Sequence, residues 1–357
     1  MEQARRRSLA MVMGLVLVLV IILPLAAMEG EPASETLPEL VEWRNLSPQP
    51  SNTDIMNDEI PHATILGDSM VFLWETDYTH WPNPDGSQPI EYPEDEDVQL
   101  RFLTDGELSP ITNVSTLDTI PEGYGHRPAM TVFQDKLYVW WNSHAWSGAD
   151  IFQVVLRVYD PETGTWDDPR PISEAPEGGI AAGASAAVFG DRLWFAWQAR
   201  YPLEENETDP GLEIYGRWTD GTEWGPVVHI SNGLPGQDTE PSVISSDGKL
   251  HVAWGHDDPV TPGNADIHHV TMDAEGHWSP VNEGLGNGIG RNEKKVSMLD
   301  WNGTPVIVWQ SDGINQRGQV YSDVMVMLLE DGDWSPARLV SPPGKDSGNV
   351  VPSAAVF

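Results

Sequence analysis

The chain has no cysteine, which excludes a disulfide framework, a thiolate metal site and a cysteine nucleophile, and leaves stability to packing. Positive charge is also scarce. Nineteen lysines and arginines, only five of them lysine, stand against 55 acids and give a formal net charge of −36. A surface so negative repels phosphate backbones and anionic membranes, so nucleic acid is excluded as a partner and a membrane is reachable only through a dedicated segment. It suits high ionic strength, where salt screens self-repulsion, and equally an ordinary acidic exported protein. No Walker loop, dinucleotide fingerprint, G-x-S-x-G elbow, H-E-x-x-H stretch or EF-hand loop occurs. That counts against the common cofactor enzymes and less against carbohydrate chemistry, which needs no local motif.

Long apolar runs are absent too, with one exception. Arg5, Arg6 and Arg7 precede residues 9–27, which are uncharged and almost all apolar. About twenty such residues cross a bilayer as a helix, with the arginines on the cytoplasmic side. The layout also fits a secretory signal cleaved near Ala26 and Ala27, but the stretch is long for a signal core and Leu25 fits the cleavage pattern poorly. An uncleaved anchor with a cytoplasmic N-terminus is favoured, and either outcome places the rest of the chain at the cell surface or outside the cell. Residues 1–28 are thus the anchor or signal segment, 29–39 an acidic, Pro- and Ser-containing disordered linker, and 40–357 the folded domain.

Within that domain a short apolar run reaches a tryptophan five times, at Trp74, Trp141, Trp197, Trp254 and Trp309, with separations of 67, 56, 57 and 55 residues. A period that regular means stacked copies of one supersecondary unit. In the clearest copy Pro241 begins a strand, Asp247-Gly248 makes a hairpin turn, and residues 250–254 form the second strand. Residues 266–272 supply a third, and Trp278-Ser279-Pro280 opens a fourth whose proline points to an edge. First strands are expected near Pro61, Pro128, Ala184, Pro241 and Lys295. Third strands are expected at Asp97-Val98, Asp150-Ile151, Glu213-Ile214, Asp266-Ile267 and Asp323-Val324. The fold expected is an all-β propeller of four-stranded antiparallel blades, preceded by one N-terminal hydrophobic helix. Residues 41–47 read as an extra outer strand and 352–357 as an extra inner one, giving five full blades plus a partial sixth. The repeat tryptophans are expected to pack between blades rather than stack on sugars.

The acid-Ile third strand, the Asp-Gly turn and Trp-Ser-Pro resemble the extracytoplasmic sialidase-like, Asp-box (BNR-type) repeat β-propellers over residues 41–357. The boxes are degenerate: residues 160–166 (DPETGTW), 220–224 (DGTEW), 273–278 (DAEGHW) and 331–334 (DGDW) all depart from the Ser-x-Asp-x-Gly-x-x-Trp spacing. The resemblance implies the propeller fold. Sialidases of that kind also carry an Arg-Ile-Pro segment and an arginine triad, and no Arg-Ile-Pro is present, so no catalytic residue is carried over. Arg101, Arg157 and Arg217 lie in repeat strands, where structural use is expected.

Blade topology places the second-to-third-strand loops and the blade-to-blade loops on one end, where propeller ligands gather. Glu59, Asp77, Glu240 and Asp257 are the candidate carboxylates there; a glycosidase needs two of them about 5 to 9.5 Å apart across a bond. Ligand-binding candidates are Trp81, His126, Arg127, His144, Trp146, Arg200, His256 and Asp312, with Trp81 and Trp146 suited to stacking. His126, His144 and His256 come from different blades without ligand spacing, so no metal site is expected; calcium on rim carboxylates is the nearest alternative. Asn45, Asn113, Asn206 and Asn302 begin glycosylation sequons. The reading favoured is a glycan- or envelope-protein-binding module rather than an enzyme. The alternative is a secreted glycoside hydrolase or lyase using rim carboxylates.

Overall fold

The computed structural model describes residues 57–77, 96–115, 125–143, 152–175, 179–201, 211–231, 235–258, 265–286, 292–314 and 320–341, with the side chains of 57–59, 77, 96, 314 and 320 left out. The anchor, the linker, residues 41–47 and 352–357, Asn45 and Asn206 lie outside them. Among the described residues no helix is long and apolar enough to cross a membrane.

The described chain is all β. It forms five antiparallel sheets in sequence order, one around each repeat tryptophan. Their inner strands are Asn57–Leu66, His126–Phe133, Ile180–Phe189, Gln237–Ser246 and Asn292–Trp301. The middle strands, which end beyond the tryptophans, are Ser69–Asp77, Lys136–Ser143, Arg192–Arg200, Lys249–Asp257 and Thr304–Ile314. Third strands follow at Glu96–Thr104, Gln153–Asp160, Glu213–Thr219, Ala265–Met272 and Val320–Glu330. Inner strand packs beside inner strand from each sheet to the next, as in a propeller. Inner hairpins turn tightly where two residues in succession have positive φ, at Gln134-Asp135, Asp247-Gly248 and Asn302-Gly303, the geometry that matches strand twist.

Alternation along each middle strand supplies the core. Leu193, Phe195 and Trp197 turn toward sheet 2 and join Trp140, Val154 and Leu156. Trp194 and Ala196 turn the other way, toward Leu250, Val252 and Trp254 of sheet 4. Both faces of a middle strand are therefore apolar, because both are covered. The repeat tryptophans are buried, Trp197, Trp254 and Trp309 completely. Arg157 and Arg217 take structural positions as expected: each guanidinium bonds a carbonyl of the preceding sheet, Val114 at 3.0 Å and Ile172 at 3.3 Å, and lies over a fourth-strand tryptophan, Trp166 or Trp224.

Three expectations about strand limits are corrected. Inner strands start several residues before the prolines, because each proline sits inside the strand at an irregularity rather than at its end. In sheet 2 the register position of Asp97 and Glu213 belongs to Gln153, which pairs with Ser143, so Gln153-Val154 replaces Asp150-Ile151 at the strand start. Fourth strands are shorter than expected. In sheet 1 Glu107–Leu108 and Thr112–Asn113 pair separately with the third strand, on either side of Ser109-Pro110. The serine bridges the gap, its hydroxyl accepting the Phe102 N–H at 2.9 Å, as Ser279 does for Thr271 and Ser335 for Leu328.

Complete burial of Trp197 predicts that Trp197→Ala lowers unfolding free energy by about 3–5 kcal/mol. Trp301→Ala, at a site 53% exposed and outside the repeat register, should stay within about 0.5 kcal/mol. Urea unfolding followed by circular dichroism measures both; equal losses would contradict the packing role.

Candidate functional site

Opposite every repeat tryptophan the inner strand carries two residues against one. The register skips between Glu59 and His62, His126 and Ala129, Ala182 and Ser185, Thr239 and Ser242, and Lys294 and Ser297. The first extra residue has positive φ in all five sheets: Ile60 (50°), Arg127 (51°), Gly183 (66°), Glu240 (55°) and Lys295 (56°). Only glycine adopts that conformation without strain, so four side chains are held there against local preference. The second extra residue is Pro61, Pro128 or Pro241 in three sheets, tolerated because the ladder is already broken.

The bulges are held by the neighbouring sheet. The residue after the repeat tryptophan reaches across: Glu75 accepts the Arg127 N–H at 2.7 Å, Asn142 the Gly183 N–H at 2.9 Å and Gln198 the Glu240 N–H at 2.8 Å. Inner strands are also stitched together, Ser185 Oγ accepting from Val243 N at 3.1 Å and Ser242 Oγ from Met298 N at 2.9 Å. Sheet 4 breaks the pattern with Gly255, where an added Cβ would stand 3.4 Å from the Glu293 carbonyl.

Three of the bulge side chains meet. Glu240 of sheet 4 bonds Lys295 of sheet 5 and lies 3.5 Å from the Arg127 guanidinium of sheet 2. Sheets that are not neighbours converge here, which places the cluster over the central channel. Beside it Lys294 pairs with Asp312 at 2.5 Å. Burial opposes ionisation of Asp312, but hydrogen bonds from Gln310, Lys294 and Ser322 outweigh it and hold its carboxyl below the ordinary value. His126 bonds the buried Glu75 at 2.8 Å. Arg200 is exposed at the end of its strand.

Behind the mouth, between sheets 3 and 4, lies a buried polar cluster. His256 Nδ1 bonds Asp238 at 2.6 Å and its ring stacks on His268, centroids 4.3 Å apart. Burial raises the Asp238 carboxyl, the bond to Asp238 raises His256, and burial followed by the nearby His256 charge lowers His268 to about 4. Glu213 and Ser231, bonded to each other, continue the cluster into sheet 3, where His229 reaches Glu213 at 3.1 Å. Asp257 presents a buried oxygen without a hydrogen-bond partner.

Of the expected residues, Arg127 and Glu240 are brought together and Asp312 stands at the same mouth, while His256 faces inward to Asp238. Trp81, His144 and Trp146, and the side chains of Glu59 and Asp77, fall outside the described residues. Lys294, Lys295, Asp238 and His268 were not expected. Lys295 was legible: it aligns with the residue before each inner-strand proline.

At the opposite, turn end a groove of about 790 Å³ opens between sheets 4 and 5, lined by Lys249, His251, His269, Asn282, Asp331 and Trp334. His251 Nε2 lies 3.2 Å from the Ser246 carbonyl, to which it donates, and in the neutral ring its Nδ1 then accepts from His269 Nε2 at 3.1 Å.

No protein-family model matches the sequence, and no curated protein does. Solved structures similar in shape include a thermostable family-43 glycoside hydrolase, with 12% identity, TM-score 0.47, and 83% of this chain and 97% of that chain covered. An α-L-arabinofuranosidase from Lactobacillus brevis shows 12% identity and TM-score 0.46 over 76% of this chain and 90% of that one. Trypanosoma rangeli sialidase shows 14% identity and TM-score 0.43 over 65% of this chain and 39% of that one. Likeness at this level concerns the fold, and none of their chemistry is carried to this chain.

The buried histidines set an acid limit. Burial, then the neighbouring His251 and Lys249, lowers His269 from 6.5 to about 3, and burial lowers His251 as well, with Asp247 and Asp300 opposing it. The unfolded chain binds these protons first, so the stabilising contribution is complete above pH 6.5 and lost as pH falls toward the folded values. Urea unfolding between pH 7 and 4.5 should show stability declining by up to about 1.4 kcal/mol per pH unit for each histidine. His269→Gln should flatten that slope; an unchanged slope would exclude the assignment.

Proposed function

We propose that this chain is an extracytoplasmic, membrane-anchored propeller of five full blades and a partial sixth that takes a glycan at the loop-end mouth of its channel. The observation that carries the reading is the convergence of Glu240, Arg127 and Lys295 on strained bulges from three sheets. Bulges and strained backbone persist where the surrounding structure over-determines them, and they gather at binding and catalytic sites. Here the over-determination is visible in the Gln198 and Glu75 bonds to the bulge N–H groups. Carboxylate, guanidinium and ammonium groups side by side supply both acceptors and donors, which polyhydroxylated ligands require.

Hydrolysis is the second reading, and Glu240 favours it. A carboxylate flanked by two cations at a channel mouth is suited to act as the nucleophile or base of a glycosidase, whose acid partner would come from a second carboxyl across the bond. Asp257, with its unpartnered buried oxygen, is on the same end of sheet 4.

One experiment separates the readings. The full chain is applied to a glycan array and, in parallel, assayed for release of reducing ends from the glycans it retains. Binding without release, weakened at least about tenfold by Glu240→Gln, supports the module. Release that Glu240→Gln lowers by about 10² or more while binding persists supports the hydrolase. Neither binding nor release across the array overturns both.

A further inference from the structure

Besides Gly255, sheet 4 departs from the repeat at two further positions. The position two after the tryptophan is Thr76, Ser143, Ala199 or Ser311 in the other sheets and His256 in sheet 4; the third-strand position paired with the tryptophan is Gln99, Val155, Tyr215 or Met325 elsewhere and His268 here. Two imidazoles thus share one face with Asp238, which pairs with His256 from the inner strand. The arrangement costs the sheet a hydrogen bond. Trp74 donates to Thr76, Trp197 to Tyr201 and Trp309 to Glu293, whereas the buried Trp254 Nε1 has no acceptor. His268, 5% exposed, likewise has an Nδ1 without a hydrogen-bond partner. Buried nitrogens are rarely left so, because each costs about 1–3 kcal/mol.

We propose that Asp238, His256 and His268 form a binding site for a divalent transition metal of the zinc class. One ligand atom from each residue lies within 4.8 Å of the other two. Bonds of about 2.0–2.1 Å in a tetrahedron place ligand atoms roughly 3.3 Å apart, so side-chain rotation of about an ångström closes the set. The rings now lie 13° from parallel, and in-plane lone pairs of parallel rings do not converge; His268 therefore tilts out of the stack as it binds. Two imidazoles and one carboxylate select zinc, cobalt, nickel or copper over calcium and magnesium, which prefer all-oxygen sets. The ion displaces the proton shared between His256 and Asp238, and that proton leaves to solvent. Asp266, facing His256 from the third strand, adds negative charge around the cation.

The site uses none of the residues of the Glu240 cluster, and its test does not depend on what the channel mouth binds. Its test uses the full chain, purified without a histidine tag and dialysed against Zn²⁺ or Co²⁺. The expected result is one ion retained per chain by elemental analysis, visible d–d absorption with Co²⁺, and a melting temperature raised by Zn²⁺ but not by Ca²⁺ or Mg²⁺. His268→Leu and Asp238→Asn should each weaken uptake at least about tenfold. His277→Ala, which removes an exposed histidine paired with Asp273, should leave it unchanged. No retained ion in the unaltered chain, or equal uptake by His268→Leu, overturns the assignment. The Co²⁺ spectrum and Zn²⁺ melting shift of the unaltered protein decide the matter even where a variant fails to fold.

Discussion

Each sheet from the second to the fifth is held to the one before it by a tryptophan set opposite a two-residue bulge, and most of what is distinctive in the structure follows from that pairing. The indole fills the gap between sheets, completely buried in three cases. The bulge opposite it bends the inner strand, and in sheets 2, 4 and 5 it brings Arg127, Glu240 and Lys295 together. The next residue along, Glu75, Asn142 or Gln198, then fastens the following bulge through its N–H. Packing, strand shape and the chemistry of the mouth are therefore consequences of one local arrangement repeated along the chain.

This explains which parts of the molecule could be read from sequence. Apolar alternation ending in tryptophan is a packing signal with a fixed period, and it located all five described sheets. Inner-strand starts were displaced because proline reads as a strand boundary, while Pro61, Pro128 and Pro241 occupy bulges inside strands. The topology argument put Arg127 and Glu240 at one end, since both precede those prolines, and the structure brings them together there. It could not pair them, because contact across a channel depends on curvature that no local pattern encodes. His268 was hidden for another reason. Its place in the third strand looks like any core position, and only the register against Trp254 reveals that it shares a face with His256 and Asp238. Asp-box spacing was a poor guide, although the turn acids do cap their own turns: Asp160, Asp220 and Asp273 each accept nearby backbone N–H groups.

Charge is distributed with the same economy. In a chain of net charge −36 with five lysines, two of the five, Lys294 and Lys295, stand at the channel mouth. Against so negative a background a small cationic cluster is a large local change in potential, and low-dielectric walls concentrate it. The arginines behave differently: Arg157 and Arg217 spend their donors on carbonyls between sheets, a use that the planar guanidinium allows and an ammonium does not.

The five bulges also separate what the scaffold must keep from what it is able to change. Ile60, Arg127, Gly183, Glu240 and Lys295 occupy equivalent backbone positions, yet they share no size, charge or polarity. Since the fold is anchored by backbone N–H groups and by the tryptophans opposite the bulges, the bulge position is constrained by its left-handed backbone, which favours glycine, and not by side-chain size, charge or polarity. The mouth is in effect a five-letter word spelled on a fixed frame, with one letter supplied by each sheet.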